Sequence, residues 1–263
     1  MAHTLEGRSR SARLADLDLD SQAVITARTE LAACFQLAAL HGLEEGICNH
    51  FSAMVPGRDD LFFVNPYGYA FAEVTVQNLL VCDFHGNVVD GEGQPEATAF
   101  YIHARLHKQL PRVKVAFHTH MPHATALCLL QGPPLLWLGQ TALKFYGRTA
   151  VDEDYNGLAL DESEGDRIAS VLGNADILFL KNHGVIVAAP TIAEAWDDLY
   201  YLERAAHVQL LAMATQRELK PVPHDVAQRT YEQMRLGDAE SARAHLHSAM
   251  RRLSKGQLPL KLA

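Results

Sequence analysis

Residues 113–120 read VKVAFHTH, and apolar and polar side chains alternate along them. Alternate side chains of an extended strand point to opposite faces, so Val113, Val115 and Phe117 are predicted to share one face, and His118 and His120 the other. Two imidazoles on one face can reach the same ion, which favours a zinc or iron site. Taken alone, the pattern is equally compatible with a surface strand that carries two histidines by chance.

A third histidine makes the metal interpretation stronger. His183 lies in a predicted turn, 181–184, between the apolar runs ILFL and VIVA, which are expected to form two strands. If this hairpin lies beside residues 113–120, His183 becomes a third ligand. Three histidines without a fourth protein ligand leave positions open for substrate or water, as in catalytic sites.

Composition excludes several classes of protein. The chain has 263 residues, of which 48% are hydrophobic and 21% charged, and its net charge is −8. These values are typical of a globular chain and argue against nucleic acid or an anionic membrane as the main partner. No apolar run of about 18 residues or secretory signal is expected. The four cysteines lack CxxC spacing, lie in apolar stretches and are predicted to be reduced core residues of a cytoplasmic protein.

The pattern divides the chain into a flexible N-terminal tail, 1–20, one domain, 21–217, and a helical segment, 218–263, packed on the domain or on a neighbouring subunit. Helices are predicted from residue 21 to a stop at Gly42, over 95–110, from Pro122, and after a capping box of Thr191 and Glu194. Short β-like runs at 61–64, 79–84 and 88–89 predict hairpins. The regular βαβ alternation of a parallel sheet is not seen.

Other residues are weaker candidates for the site. His103 and His107 share one face of the predicted helix, where they either bind metal or pack behind the site. Asn49 and His50 lie in a predicted polar turn that either holds a substrate oxygen or satisfies itself. Tyr146 is either a proton donor or an aromatic packing residue.

Over roughly residues 24–215 the chain resembles the class II aldolase and adducin family, and its bacterial adducin-like branch in particular. The resemblance rests on an ordered series of segments: EGICNHFSAMVPG (45–57), FVNPYGYAFAEVT (63–75), LLVCDFHGNVVDG (79–91), TAFYIHARLH (98–107), VKVAFHTHMPHATAL (113–127) and LKNHGVIVAA (180–189). HTH followed about sixty residues later by NHG is the most specific pair. The resemblance implies an α/β fold with three α/β/α layers around a mostly antiparallel sheet, usually assembled as a homotetramer.

The resemblance also implies a role for the histidines. Members that are sugar-phosphate aldolases hold Zn²⁺ with residues that match His118, His120 and His183, and the metal polarises a substrate carbonyl while a carbon–carbon bond breaks. Their acid/base glutamate falls at Ala99, which is therefore expected to face the metal pocket. Glu96, one helical turn earlier, is the nearest carboxylate that could substitute. The serine-rich phosphate contact is missing as well, which argues against simple sugar-phosphate cleavage.

The function implied by this resemblance is that of a metal-dependent lyase, aldol or decarboxylative, acting on a small oxygenated carbonyl compound. Two alternatives remain open: a non-haem Fe(II) oxygenase, similar to those of aminocoumarin biosynthesis, and a non-catalytic adducin-like scaffold. One divalent ion is expected, zinc first and Fe(II) second, with a small-molecule substrate and neither nucleic acid nor membrane as partner. The candidate catalytic residues are His50, Tyr146 and Glu96, and the candidate substrate-binding residues are Asn49, His50 and Asn65.

Overall fold

The computed structural model describes Leu19 and residues 21–256, so the predicted tail lies outside the described residues apart from Leu19. The strands are β1 (His50–Met54), β2 (Leu61–Val64), β3 (Leu80–Asp83), β4 (Val88–Asp90), β5 (Val115–Thr119), β6 (Thr149–Asp152), β7 (Ile177–Leu180) and β8 (Gly184–Ala189). The helices are α1 (Gln22–His41), α2 (Ala97–Gln109), α3 (Pro122–Cys128), α4 (Gln140–Leu143), α5 (Glu162–Leu172), α6 (Ile192–Ala214), α7 (His224–Arg235) and α8 (Asp238–Ser254).

The strands form one sheet in the order β4-β3-β2-β1-β5-β8-β7-β6. Every neighbouring pair is antiparallel except β6 and β7, which run parallel and are joined through α5. The expectation of a mostly antiparallel sheet is confirmed. This βαβ unit was not anticipated, because β6 is four residues long and only partly buried, a pattern too weak to indicate a strand.

Helices cover both faces of the sheet and so build three layers. Phe117 of β5 belongs to the larger apolar core, where residues of α1, α6 and α8 such as Phe35, Trp196 and Leu246 pack. Ala116 faces the second core, which contains residues of α2 and α5. Val113 also lies in this second core, contrary to the predicted alternation, because the strand begins only at Val115.

The predicted helix boundaries correspond to recognisable end signals. Gly42 follows α1 in the left-handed conformation (φ +68°), which glycine adopts without steric cost. At the start of α6, the Thr191 hydroxyl accepts a hydrogen bond from the Glu194 N–H at 3.2 Å, as an N-cap residue does. Helix α2 ends at Gln109, two residues before Pro111, which cannot continue a helix.

Helix α1 is long and apolar enough, by length and composition alone, to cross a membrane, with a mean hydropathy of 1.3 over its best window. Charged residues such as Arg28 interrupt its apolar stretch, so the sequence shows no continuous apolar run of about 18 residues there. Half of that window is buried within the fold, and Leu31 and Phe35 belong to the core. A buried core helix can have the same length and apolar composition as a membrane span.

The four cysteines are free thiols, but they do not share one environment. Cys34, Cys82 and Cys128 are buried as predicted, and burial raises the pKa of Cys82 and Cys128 to about 12. Cys48 is exposed, contrary to the prediction, because it belongs to the loop before β1 rather than to a core element.

Candidate metal and active site

Strands β5 and β8 bring the three predicted histidines together. The two strands are antiparallel neighbours, with Thr119 opposite Val185, so the end of β5 meets the start of β8. His118 lies on β5, His120 directly follows it, and His183 directly precedes β8. One ligand atom from each of these side chains lies within 4.8 Å of the other two. The hairpin therefore lies beside residues 113–120, as the sequence suggested.

Two of the rings are held by hydrogen bonds on their outer nitrogens. His118 Nδ1 donates to the Val185 carbonyl at 2.9 Å, and His120 Nδ1 lies 2.5 Å from Glu45 Oε2. The two Nε2 atoms are thereby turned towards each other, 3.2 Å apart. Metal-ligating histidines are typically oriented by a carbonyl or carboxylate on the second nitrogen, so this donor set fits a divalent ion such as zinc or iron. Glu45 was not predicted, and its position 75 residues away along the chain leaves no local signal.

The turn before β8 depends on two small residues. Asn182 adopts a positive φ of +59°, which asparagine tolerates better than most residues. Gly184 lies so close to β5 that an added Cβ would be 2.7 Å from the Thr119 carbonyl oxygen and 2.8 Å from His120 Cδ2. Glycine is therefore needed at this position for His183 to approach His118 and His120.

The surroundings of His118 and His183 favour the uncharged form of both side chains. Burial, followed by the proximity of His183, holds the pKa of His118 well below its usual value. Burial likewise lowers the pKa of His183 to about 4. Neutral imidazole is the form that binds a metal, so both rings are ready ligands near pH 7.

A second group of histidines lies behind the first. His50 is the first residue of β1, not part of a turn as predicted, and its Nδ1 is 2.6 Å from His103 Nε2. The Ser52 hydroxyl contacts His103 Nδ1 and lies 2.7 Å from His107 Nε2, and His107 Nδ1 donates to the Val113 carbonyl at 2.8 Å. His103 and His107 thus pack behind the site, and His50 connects them to it.

A cavity of about 520 Å³ opens over the metal-ligand candidates. Its walls include the four histidines His50, His118, His120 and His183, together with Glu96, Thr98 and Ile102 from the start of α2. Two cationic side chains also line it, Arg167 and Lys181, among the described residues.

Both of these cations already have partners. Arg167 makes a two-pronged ion pair with Asp152, at 2.7 Å for each bond, and a further bond of 2.7 Å to Glu164. Lys181 Nζ donates to the carbonyls of Leu130 and Gly132 at 2.6 and 2.7 Å. Among the described residues that line the cavity, every cationic side chain therefore already has a partner, and none is free to bind an anionic substrate.

The start of α2 differs from expectation. Glu96 lines the cavity, but it is also the N-cap of α2, where Oε2 accepts from the Ala99 N–H at 2.8 Å and from the Thr98 hydroxyl. Ala99 was expected to face the metal pocket. It is buried and is not among the residues that line the cavity.

The two asparagines hold the loop before β1 in place. Asn49 Oδ1 accepts from the Glu45 N–H at 2.8 Å and from the His120 N–H at 3.4 Å. Asn65 Nδ2 donates to the Asn49 carbonyl at 3.3 Å, and its Oδ1 accepts from the Phe51 N–H at 3.4 Å. Both side chains are buried and neither is among the residues that line the cavity, so their observed contacts are structural.

Tyr146 is not brought to the histidines. Its hydroxyl contacts His224 Nδ1 on α7, and its ring packs 5.1 Å from Trp137 between centroids. It does not line the cavity of the described chain. Of the two roles that the sequence left open for Tyr146, these contacts are those of an aromatic packing residue.

Comparison with known proteins agrees with this architecture. Residues 29–210 match the model of the class II aldolase and adducin N-terminal domain family. A protein of Caulobacter vibrioides, named as a candidate class 2 aldolase, is 36% identical over 199 residues, which are 75% of this chain and 77% of that protein. A protein of Streptomyces roseochromogenus subsp. oscitans, named 4-hydroxy-3-prenylphenylpyruvate oxygenase/4-hydroxy-3-prenylbenzoate synthase, is 32% identical over 195 residues, or 73% and 69% of the two chains.

Solved structures show the same fold. An aldolase II superfamily protein from Pseudomonas syringae superposes with a TM-score of 0.84 at 31% identity, covering 94% of this chain and 97% of that one. L-fuculose 1-phosphate aldolase from Glaciozyma antarctica superposes with a TM-score of 0.79 at 25% identity, covering 94% and 98%. The chain therefore belongs to the class II aldolase and adducin N-terminal domain family.

Proposed function

We propose that the protein is a metal-dependent lyase that cleaves a carbon–carbon bond, by an aldol or decarboxylative route, in a small oxygenated carbonyl compound. The observation that carries the proposal is the convergence of three imidazoles, two of them oriented by Val185 and Glu45, at the floor of a cavity. His118, His120 and His183 would hold the ion, zinc in the first instance. A bound divalent ion supplies Lewis acidity that polarises a substrate carbonyl.

The wall of the cavity favours a substrate without a phosphate group over a sugar phosphate. Arg167 is neutralised by Asp152 and Glu164, and Lys181 is bound to carbonyls, so a phosphate dianion would meet no free cation there. Desolvating a phosphate without a paired cation is costly. Ala99 also supplies no carboxylate for proton transfer, so the proton must move through another group, for which His50 is the candidate nearest the triad.

A second candidate function is that of an Fe(II) oxygenase. One observation favours it specifically: a relative that is 32% identical carries the name of an oxygenase. Imidazole ligands accept iron as readily as zinc, and an oxygenase has no need of the missing glutamate. The third alternative, an adducin-like scaffold, has less support, because a scaffold gains nothing from three convergent imidazoles with oriented nitrogens.

Metal content and co-substrate use test these candidates together. Protein purified without added metal, once aerobically and once anaerobically, is analysed for zinc and iron and then assayed for oxygen uptake and for carbonyl products from a panel of hydroxy ketones and keto acids. The lyase predicts about one zinc per chain and product release without oxygen. Bound iron together with oxygen uptake would contradict the lyase and support the oxygenase. A site that binds neither ion would support the non-catalytic scaffold. His118→Ala is the negative control, and His85→Ala, in the exposed turn between β3 and β4, is the matched positive control.

We also propose that the protein is a homotetramer. Several large apolar side chains of the described chain are exposed, among them Leu129, Leu158 and Leu236, and burial in a subunit interface would remove them from water. Tyr146 and the segment that includes α7 and α8 could then approach the site of a neighbouring subunit.

A further inference from the structure

Behind the metal-ligand candidates lies a chain of hydrogen-bonded buried side chains, and both of its ends can be identified. It runs from the Val113 carbonyl through His107, Ser52 and His103 to His50. The four side chains are at most 5% exposed, so solvent does not share in these hydrogen bonds. The chain comes from two elements, β1 and α2, and ends at the cavity.

The donor and acceptor of every hydrogen bond in this series follow from the first bond, which joins His107 to the Val113 carbonyl. A backbone carbonyl only accepts, so His107 Nδ1 carries a hydrogen and donates to Val113. A neutral His107 then has a bare Nε2, and the Ser52 hydroxyl must donate to it. Since Ser52 has one hydrogen, its oxygen has to accept from the other neighbour, His103 Nδ1.

The same logic continues to the cavity. His103, with its hydrogen on Nδ1, has a bare Nε2 that accepts from His50 Nδ1 over 2.6 Å. His50 is then the tautomer with hydrogen on Nδ1 and a lone pair on Nε2. The reverse direction would require a second hydrogen on His107 and therefore a buried cation, which burial strongly disfavours.

Burial also supports the neutral state of these rings. It lowers the pKa of His107 to about 4, with the Val113 hydrogen bond opposing the effect, and it holds the pKa of His103 well below its usual value. Among the described residues, no carboxylate is hydrogen-bonded to these side chains, so a positive charge on one of them would have no counterion in direct contact.

We propose that Ser52, His103 and His107 are positioning residues that hold His50 as the Nδ1–H tautomer, so that its Nε2 accepts a hydrogen bond from a hydroxyl group of the ligand in the cavity. The Nδ1 edge of His50 is turned towards His103, which leaves the Nε2 edge to the cavity that this residue lines. His50 also lies beside the ligand candidate His118, with 4.8 Å between ring centroids. The inference deepens the proposed function, because it requires a hydroxyl group beside the part of the ligand that the metal would hold.

The tautomer can be measured directly on metal-free protein. Nitrogen-15 NMR of histidine-labelled protein distinguishes a protonated ring nitrogen from a bare one, and the signals of His50 are identified by their loss in His50→Phe. We expect a hydrogen on Nδ1 and none on Nε2. A hydrogen on Nε2 overturns the inference. Because no metal or substrate is present, this result is independent of whether the protein is a lyase.

A pair of variants at Ser52 tests whether the chain sets the tautomer. Ser52→Ala removes the hydroxyl that links His107 to His103 and so fixes which nitrogen of His103 carries the hydrogen. We then expect His50 to become a mixture of both tautomers. Ser52→Thr keeps a hydroxyl and is expected to retain the single tautomer. If Ser52→Ala, checked for folding by thermal unfolding, keeps the wild-type tautomer, the positioning role is wrong. If the variants do not fold, the wild-type measurement still decides the tautomer.

The ligand half is tested with hydroxyacetone and methoxyacetone, which differ in the hydroxyl hydrogen. The zinc-loaded wild-type protein should bind hydroxyacetone roughly threefold to tenfold more tightly, the value of one hydrogen bond, and His50→Phe should lower this preference by the same factor. An undiminished preference in His50→Phe overturns the ligand half. If hydroxyacetone does not bind at all, the inference about the ligand hydroxyl fails, whereas the tautomer result and the test of the lyase by zinc content and product release stand separately.

Discussion

His50 and His118 are paired across neighbouring antiparallel strands, and their ring centroids are 4.8 Å apart. One ring belongs to the candidate metal ligands and the other to the buried chain that ends at Val113. Two polar systems thus meet at the β1–β5 pair. Their different partners predict different responses to mutation.

Replacing any of the three ligand candidates by alanine should remove the metal. His118→Ala, His120→Ala and His183→Ala are each expected to fall from about one ion per chain to a small fraction, because two imidazoles alone hold a divalent ion weakly. The far-ultraviolet circular dichroism should stay unchanged. Elemental analysis after dialysis checks the result against the exposed control His85→Ala. Full occupancy in any of the three would remove that residue from the ligand set.

Glu45 should matter for affinity although it is not a ligand candidate. Its carboxylate fixes the ring of His120, and loss of such a partner typically weakens metal binding about 10- to 100-fold. Glu45→Ala is therefore expected to release zinc to a chelator at correspondingly lower chelator concentration. The carboxylate of Glu44, its sequence neighbour, accepts from the Phe71 N–H instead, so Glu44→Ala serves as the control. Equal zinc affinity in Glu45→Ala and wild type would contradict this role.

Sugar phosphates should be poor substrates. General acid–base catalysis typically contributes about 10²–10⁴-fold to the rate, and Ala99 has no carboxylate to supply it. Arg167 and Lys181 are already paired, so neither is free to bind the phosphate group. Fuculose and ribulose phosphates are expected to turn over far below the usual rate of about 1 s⁻¹ or more. A coupled assay with zinc-loaded protein measures the rate. Turnover at an ordinary rate would show that another residue, Glu96 foremost, supplies the acid and base.

The folded protein should become less stable in mild acid. The pKa of His107 is lowered by burial from 6.5 to about 4, so between these values the unfolded chain binds more protons than the folded one. The free energy of unfolding is then highest above about pH 6.5 and falls as the pH drops towards 4, by about 3 kcal/mol for His107 alone. Urea unfolding of metal-free protein across this range measures the slope. His107→Gln should show a shallower slope, and an unchanged slope would rule out His107 as its source.

The proposed assembly gives a prediction about mass. Light scattering on protein at micromolar concentration should report four times the 29.0 kDa of one chain. Exposed leucines such as Leu129 and Leu236 are then buried between subunits. Leu236→Ser and Leu129→Ser would show which of these surfaces takes part, and a stable wild-type monomer would contradict the tetramer.

Local patterns predicted the three ligand candidates and several helices and strands, whereas the layers and the mostly antiparallel sheet were implied by the resemblance to the family. The alternation around His118 predicted β5, and Gly42, Pro111 and Thr191 predicted helix ends, because these signals are local. The same reasoning could also have found the second group of histidines. His50 and Ser52 are two residues apart on one strand, and His103 and His107 are four apart on one helix, so each pair shares a face.

Long-range partners could not be predicted in this way. Glu45 reaches His120 across the loop before β1, and Arg167 reaches Asp152 from α5, so neither pair has a spacing that local structure determines. The inward direction of Ala99 and the packing of Tyr146 against α7 likewise follow from how helices are placed in three dimensions. Such placement is the part of a fold on which a single sequence is least informative.

Gly184 carries no functional group, yet the close approach of its backbone to Thr119 and His120 gives it a diagnostic value. One added methyl group there would push the turn away and separate His183 from its two partners, while every histidine stayed in the sequence. A count of histidines is therefore an insufficient criterion for distinguishing metal-binding members of this family from members that have lost the ion. The residue that follows the third histidine is the better marker, and Gly184→Ala is the smallest change expected to separate the three ligand candidates.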